Sequence, residues 1–213
     1  MMALFKKEET EEQLLKRLSG HAGNVLNMFK AYFNTPNGID MRRALIFTAA
    51  LAGHACLRAV KADKGSFAVV TTEDGKRLYF GDDLNRYILE DRLSVVNFIL
   101  AVSDISQDDV LTIVADFAKL IGNKNLTVCG YDPKSLYEQV NSCWEGIFVN
   151  MTSQYCKSPK EWPILYGIVL QNIMLTAIDA GAPKDEVGKI AVECAVAISK
   201  MDKGSFYACF MEN

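Results

Sequence analysis

The chain has 213 residues, with 23 Lys and Arg against 26 Asp and Glu, and half of it is hydrophobic. That is the balance of a globular protein with a real core, and it excludes a disordered tail, a collagen-like fibre or a disulfide-dense miniprotein. A net charge of −3 offers no general positive field for DNA or for an anionic membrane surface.

Residues 1–13 (MMALFKKEETEEQ) turn acidic where a secretory signal needs an apolar run, so the expected compartment is cytoplasmic. Six cysteines, Cys56, Cys129, Cys143, Cys156, Cys194 and Cys209, form no C-x-x-C pair and read as reduced, mostly buried thiols. The glycosylation patterns at Asn125 and Asn150 are set aside for such a chain. The longest apolar run, Trp162 to Ile178, carries Gln171 and Asn172 in its middle and spans 17 residues, short for a bilayer crossing. It reads as a buried central helix, and no membrane is expected as a partner.

In chain order, Glu9 to Phe33 repeats apolar residues at spacings of three and four, which predicts a helix with a bend or break near Gly20 and Gly23. Asn34-Thr-Pro-Asn-Gly38 is turn chemistry, and Asp40 caps a second helix over Met41 to Ala62. Ser66 to Thr72 and Arg77 to Phe80, joined by Glu73-Asp-Gly-Lys76, predict a β-hairpin over about 66–80. Asp82 or Asp83 is expected to cap a helix from Leu84 to Val102, breaking near Glu90 and Asp91. Further helices are expected from Ser106 to a stop at Gly122, from Asp132-Pro133, from a capping box at Ser158-Pro-Lys-Glu161, and from Lys184 to Met201.

The expectation is therefore a mainly α fold: one domain over residues 1–213, a compact bundle of about seven helices with one short β-hairpin. A C-terminal strand over about 206–210 would lie beside the hairpin or pair with another chain, which leaves a homodimer open.

Asp63-Lys-Gly-Ser-Phe67 recurs as Asp202-Lys-Gly-Ser-Phe206. We read the echo as a reused helix stop rather than a duplicated half. Gly65 and Gly204 would take the left-handed conformation past a helix end, and Phe67 and Phe206 would supply the accompanying apolar contact. A softer echo, Asp108-Asp-Val-x-x-Ile113 with Asp185-Glu-Val-x-x-Ile190, follows from helix grammar alone.

Ile190-Ala191, Ala195-Val196, Ser199 and Gly204-Ser-Phe-Tyr207-x-x-Phe210 resemble the helix-turn-helix pattern of tetracycline-repressor-type regulators. The resemblance would imply DNA binding. It departs from the family in spacing, in having Ala195 where the turn glycine stands, in its place at the far end of the chain, and in its acidic flanks Glu193, Asp202 and Glu212. No nucleic acid partner is expected.

Nothing assembles into a catalytic motif. The two histidines are His21 and His54, and His54-Ala-Cys56 points its side chains to different helix faces, so neither a metal nor a cofactor is expected. The acidic pairs Asp82-Asp83, Asp108-Asp109 and Asp185-Glu186 fall in first turns, where they complement helix dipoles. The sharpest signal is on the second helix, where Arg43, Phe47, Ala50, His54, Arg58 and Lys61 share one stripe. Glu161, Asn172, Thr176 and Asp179 form a matching stripe on the Trp162 helix. If the stripes face each other, Arg43, His54, Arg58 and Lys61, with Asn172 opposite, would hold an anionic ligand or a partner's acidic residues. The sequence thus favours a non-catalytic, cytosolic protein-interaction or regulatory module. A small anionic-ligand binder or enzyme at that stripe is the alternative.

Overall fold

A computed structural model describes residues 9–71, 77–120 and 126–201. It is mainly α, with two small antiparallel two-stranded sheets among the described residues.

Helix α1 (Glu11–Tyr32) starts at a capping box: Thr10 Oγ1 accepts from Gln13 N, and Gln13 Oε1 accepts from Thr10 N. It buries Leu18, Ala22, Val25 and Phe29. Gly20 and Gly23 do not break it, because both sit on the exposed face of a helix already committed by that buried row. Strands β1 (Asn34–Thr35) and β2 (Gly38–Ile39) make a minimal hairpin. Asp40 then caps α2 (Met41–Ala62) by accepting from Arg43 N at 3.0 Å.

Every residue of α2 from 44 to 57 is buried. Such a helix needs neighbours on all sides. It gets them from α8 (Trp162–Asp179), α9 (Lys184–Ser199) and α6 (Pro133–Cys143). By length and mean hydropathy, α2 (1.3) and Pro159–Asp179 (1.2) match membrane-spanning helices, but 89% and 56% of those windows are buried inside the protein. Nearly all of the α2 window packs on protein, and a little over half of the second one does.

Strands β3 (Ala68–Thr71) and β4 (Arg77–Phe80) form the expected hairpin, with Val69 opposite Tyr79. The end of α9 returns to it, since Leu78 bridges Met201 and Tyr79 N donates to Lys200 O at 2.9 Å. The proposed strand at 206–210, the second copy of the repeated pentamer and the Gly122 stop lie outside the described residues.

Some local expectations are corrected. The left-handed residue after α2 is Lys64 (φ 55), not Gly65. Gly65 N reaches back to Val60 O at 2.9 Å and Lys64 N to Lys61 O at 3.3 Å, which is a Schellman cap set one residue earlier than expected. Gly65 is demanded by space instead, because a Cβ there would lie 2.9 Å from Val60 Cγ1. Neither Asp82 nor Asp83 caps α3 (Asp82–Asn85), whose N-cap is Gly81; Asp83 Oδ2 accepts from Ser66 N at 2.8 Å and ties the hairpin to the helix. Ser158 makes no side-chain cap, since Glu161 Oε2 takes Lys157 N instead.

Among the described residues, two helices carry π turns. After α3, Arg86–Glu90 closes an Asp91 N to Arg86 O bond, and the chain restarts at Ser94, which caps α4 (Val95–Leu100). Next comes α5 (Gln107–Leu120). In the rod that opens with α6, Trp144–Phe148 closes a Val149 N to Trp144 O bond before α7 (Val149–Tyr155). Each π turn inserts a residue into the helix and rotates the side chains that follow.

Candidate functional site

Arg58 and His54 meet as their spacing predicts: Arg58 Nε donates to His54 Nε2 at 3.1 Å. Their surroundings differ from expectation. The facing element is α6 and its π turn, where Asn141 Oδ1 accepts from the Arg58 guanidinium at 2.7 Å and Glu145 Oε1 at 3.2 Å. His54 is fully buried, edge-on to Tyr137 and Trp144 at ring separations of 5.6 and 5.5 Å. Because Nε2 accepts, the proton of this ring belongs on Nδ1.

The other predicted ligand residues are elsewhere. Arg43 is exposed at the start of α2, its guanidinium 5.9 Å from the centre of the Phe33 ring. Lys61, about 27 Å further along the helix axis at 1.5 Å per residue, lies 4.2 Å above the Tyr79 ring. Asn172 donates to Ile168 O of its own helix at 3.0 Å. On the second stripe, Glu161 pairs with Arg17 at 3.0 Å. Arg43, Lys61 and Asn172 thus stand apart from the His54–Arg58 pair. A stripe about five turns long passes a succession of neighbours, so its two ends and its middle do not share one partner.

The thiols of Cys56, Cys129, Cys143, Cys156 and Cys194 are free, and Cys209 lies outside the described residues. No group of three or more His, Cys, Asp or Glu side chains able to hold a metal occurs among the described residues.

Sequence reasoning missed an apolar groove of about 430 Å³ between the C-terminal half of α1 and the π turn of the α6–α7 rod. Phe29, Phe47 and Phe148 form its floor, with Phe29 edge-on to Phe47 and Phe148 at 5.8 and 5.4 Å. Met28, Tyr32 and Ile147 stand at its mouth, 37%, 54% and 52% exposed. Cys143 is half-buried in its wall, where burial pushes the thiol up. Two signals were available in the sequence. The apolar stripe of α1 widens at Met28, Phe29, Tyr32 and Phe33 beyond what one buried face needs, and Trp144-Glu-Gly-Ile-Phe148 sets Ile147 beside Gly146 on a surface turn.

A scan against family models, a search of curated proteins and a search of solved structures each gave no match to this chain.

A second cleft, of about 580 Å³, is lined mostly by charged residues and lies where the start of α1, the Arg86–Glu90 π turn and the start of α8 converge. Its charges are largely matched within the wall: Arg86 with Asp91 at 3.3 Å, and Arg92 with Glu11 at 3.2 Å. Tyr87 donates to Asp63 Oδ2 at 3.4 Å, and burial beside that carboxylate pushes its phenol up to about 12. A phenol held protonated is a hydrogen-bond donor here, not a base.

Proposed function

We propose that this chain is a cytosolic protein-interaction module whose working surface is the α1/π-turn groove, and that its partner is a protein segment presenting the apolar face of an amphipathic helix. The observation that carries the reading is the gathering of Met28, Tyr32 and Ile147, all exposed large apolar side chains, around one aromatic-floored cleft. Scattered surface hydrophobics need no explanation, but ones that rim a single groove favour a partner that covers them. Helix-in-groove recognition uses anchors at i, i+3 or i+4, and i+7 dropped into such a cleft, with aromatic walls supplying contact area at low entropic cost.

The test is selection of displayed helical peptides on the full chain, followed by titration of the enriched peptides against wild type, Ile147→Asp and Met28→Asp. Both sites are exposed, so the variants are expected to melt with wild type. The reading expects peptides with a helical apolar spacing and at least a tenfold loss of affinity on either variant. Equal affinity for wild type and variants overturns it, as does a selection that enriches nothing. A monomer–dimer equilibrium abolished by the same substitutions would replace the foreign helix with a second copy of this chain and overturn the assignment of partner.

A further inference from the structure

We propose that Cys129 and Cys194 form a reversible disulfide, an oxidation clasp joining the turn before α6 to the core helix α9. Their sulfurs lie 3.2 Å apart, Cys194 Sγ donating to Cys129 Sγ across 65 residues of sequence. A disulfide brings two sulfurs to about 2.05 Å, so closure asks for a movement of only about 1 Å, well inside side-chain freedom.

The turn that carries Cys129 supports the pairing. Val128 and Tyr131 exchange two backbone hydrogen bonds of 2.9 Å, and the residues between them, Cys129 and Gly130, both have positive φ, at 51° and 84°. This is the two-residue mirror turn that favours Asn-Gly or Gly-Gly. A cysteine in its first position carries a backbone cost that turn chemistry does not repay. What holds it there is α9: Cys129 N donates to Glu193 Oε1 at 2.6 Å, and Cys129 Sγ donates to Ile190 O at 3.7 Å. The sulfur is thus aimed at its partner from two sides.

Access sets the order of events, because Cys129 is half-buried whereas Cys194 is buried. With a small disulfide such as oxidised glutathione as oxidant, the Cys129 thiolate attacks one sulfur and expels a glutathione thiolate, which takes up a proton. Cys194 then gives its proton to water and attacks Cys129 Sγ, expelling the second glutathione. Two protein thiols are oxidised and one glutathione disulfide is reduced to two thiols. The product pins the chain entering α6, and with it one end of the rod that carries the groove's π turn.

The test equilibrates the full chain with oxidised and reduced glutathione at fixed ratios, quenches in acid, alkylates free thiols and identifies linked peptides by mass spectrometry. The expected result is a Cys129–Cys194 linked peptide as the dominant disulfide, following a two-electron titration and reversed by excess reduced glutathione, with the oxidised chain melting above the reduced one. Cys194→Ser is expected to leave Cys129 as a stable glutathione adduct, and Cys129→Ser to leave Cys194 unmodified. The proposal fails if both thiols stay alkylatable under conditions that glutathionylate Cys143, or if wild-type Cys129 stalls as the glutathione adduct. Trapping of the wild-type chain decides the matter even if a serine variant does not fold.

Discussion

Gly53 of α2 lies directly against the backbone of Ala195 in α9: a Cβ at Gly53 would overlap the Ala195 carbonyl oxygen and stand 2.8 Å from its carbon. The obstacle is backbone, which cannot swing aside as a side chain can. This contact sets how closely the core helices approach, and the buried faces around it are packed to that distance.

Gly53→Ala is therefore expected to destabilise the chain by about 3 kcal/mol, the upper end for overpacking, because two helices must separate to admit one methyl. Gly20→Ala is its control. That position is exposed, mid-helix and has nothing within 4 Å of a new Cβ, so it should gain about 0.5–1 kcal/mol. Chemical denaturation midpoints of the two variants should move in opposite directions.

Lys64 holds a left-handed backbone (φ 55) past the end of α2. A non-glycine residue is strained there, and Lys64→Gly relieves more than it costs in unfolded-chain entropy, by about 0.5 kcal/mol. A slightly higher thermal midpoint with an unchanged circular dichroism spectrum is the expected result.

Arg17 knits the N-terminal approach of α1 to the start of α8. It donates to Glu9 at 3.0 and 2.9 Å, to Tyr155 O at 2.9 Å and to Glu161 at 3.0 Å. Hydrogen bonds from Arg17 and Lys157 hold the Glu9 carboxyl down at about 2, against an ordinary 4.5. A carboxylate depressed in the fold contributes stability that is present above its unfolded value and lost as pH falls toward its folded one. Arg17→Met should cost about 1 kcal/mol at neutral pH. Wild type's advantage over the variant should be flat at higher pH and shrink between 4.5 and 2 in urea titrations.

Lys200 is 4% exposed, donates to Asn85 Oδ1 at 3.0 Å and lies 5.4 Å from the centre of the Phe80 ring. Burial pulls its ammonium down to about 8 from 10.5. Below the folded value both states carry the charge and the cost of burying it is complete. Between 8 and 10.5 the unfolded chain holds more protons, so the contribution of Lys200 to stability rises with pH. Against Lys200→Met, wild type should gain up to about 3 kcal/mol across that window. A pH-independent difference between the two proteins would show that the amine is solvated.

The helix boundaries of α2 were legible residue by residue, because Asp40 supplies a cap and the apolar run has no competing period. The hairpin was legible from β-branched runs flanking Asp-Gly. The break after Glu90 was visible in outline, but the π turns were not, since an inserted residue leaves the apolar spacing nearly intact. The helix stop after Ala62 was recognised while its left-handed residue was misplaced by one, because glycine there answers to crowding by Val60 rather than to torsion.

The candidate site was less legible than the fold. His54 and Arg58 could be paired from spacing on one helix, yet which element faced them could not, and Asn141 and Glu145 come from 83 and 87 residues away. The groove draws Met28, Phe47 and Ile147 from separate helices, and no periodicity relates residues that only packing brings together.

By itself, then, the sequence determined the local grammar: where helices begin, which faces are apolar, and that so much apolar helix must be buried. These are properties of short windows, in which cap, turn and period act over a few residues. Tertiary packing decided that α2 sits between α8 and α9 at the distance Gly53 allows, that an aromatic cleft stays open beside Ile147, and that Cys129 meets Cys194. Those outcomes depend on how faces distant in the chain share a finite interior, which is set by shape and volume rather than by any local pattern.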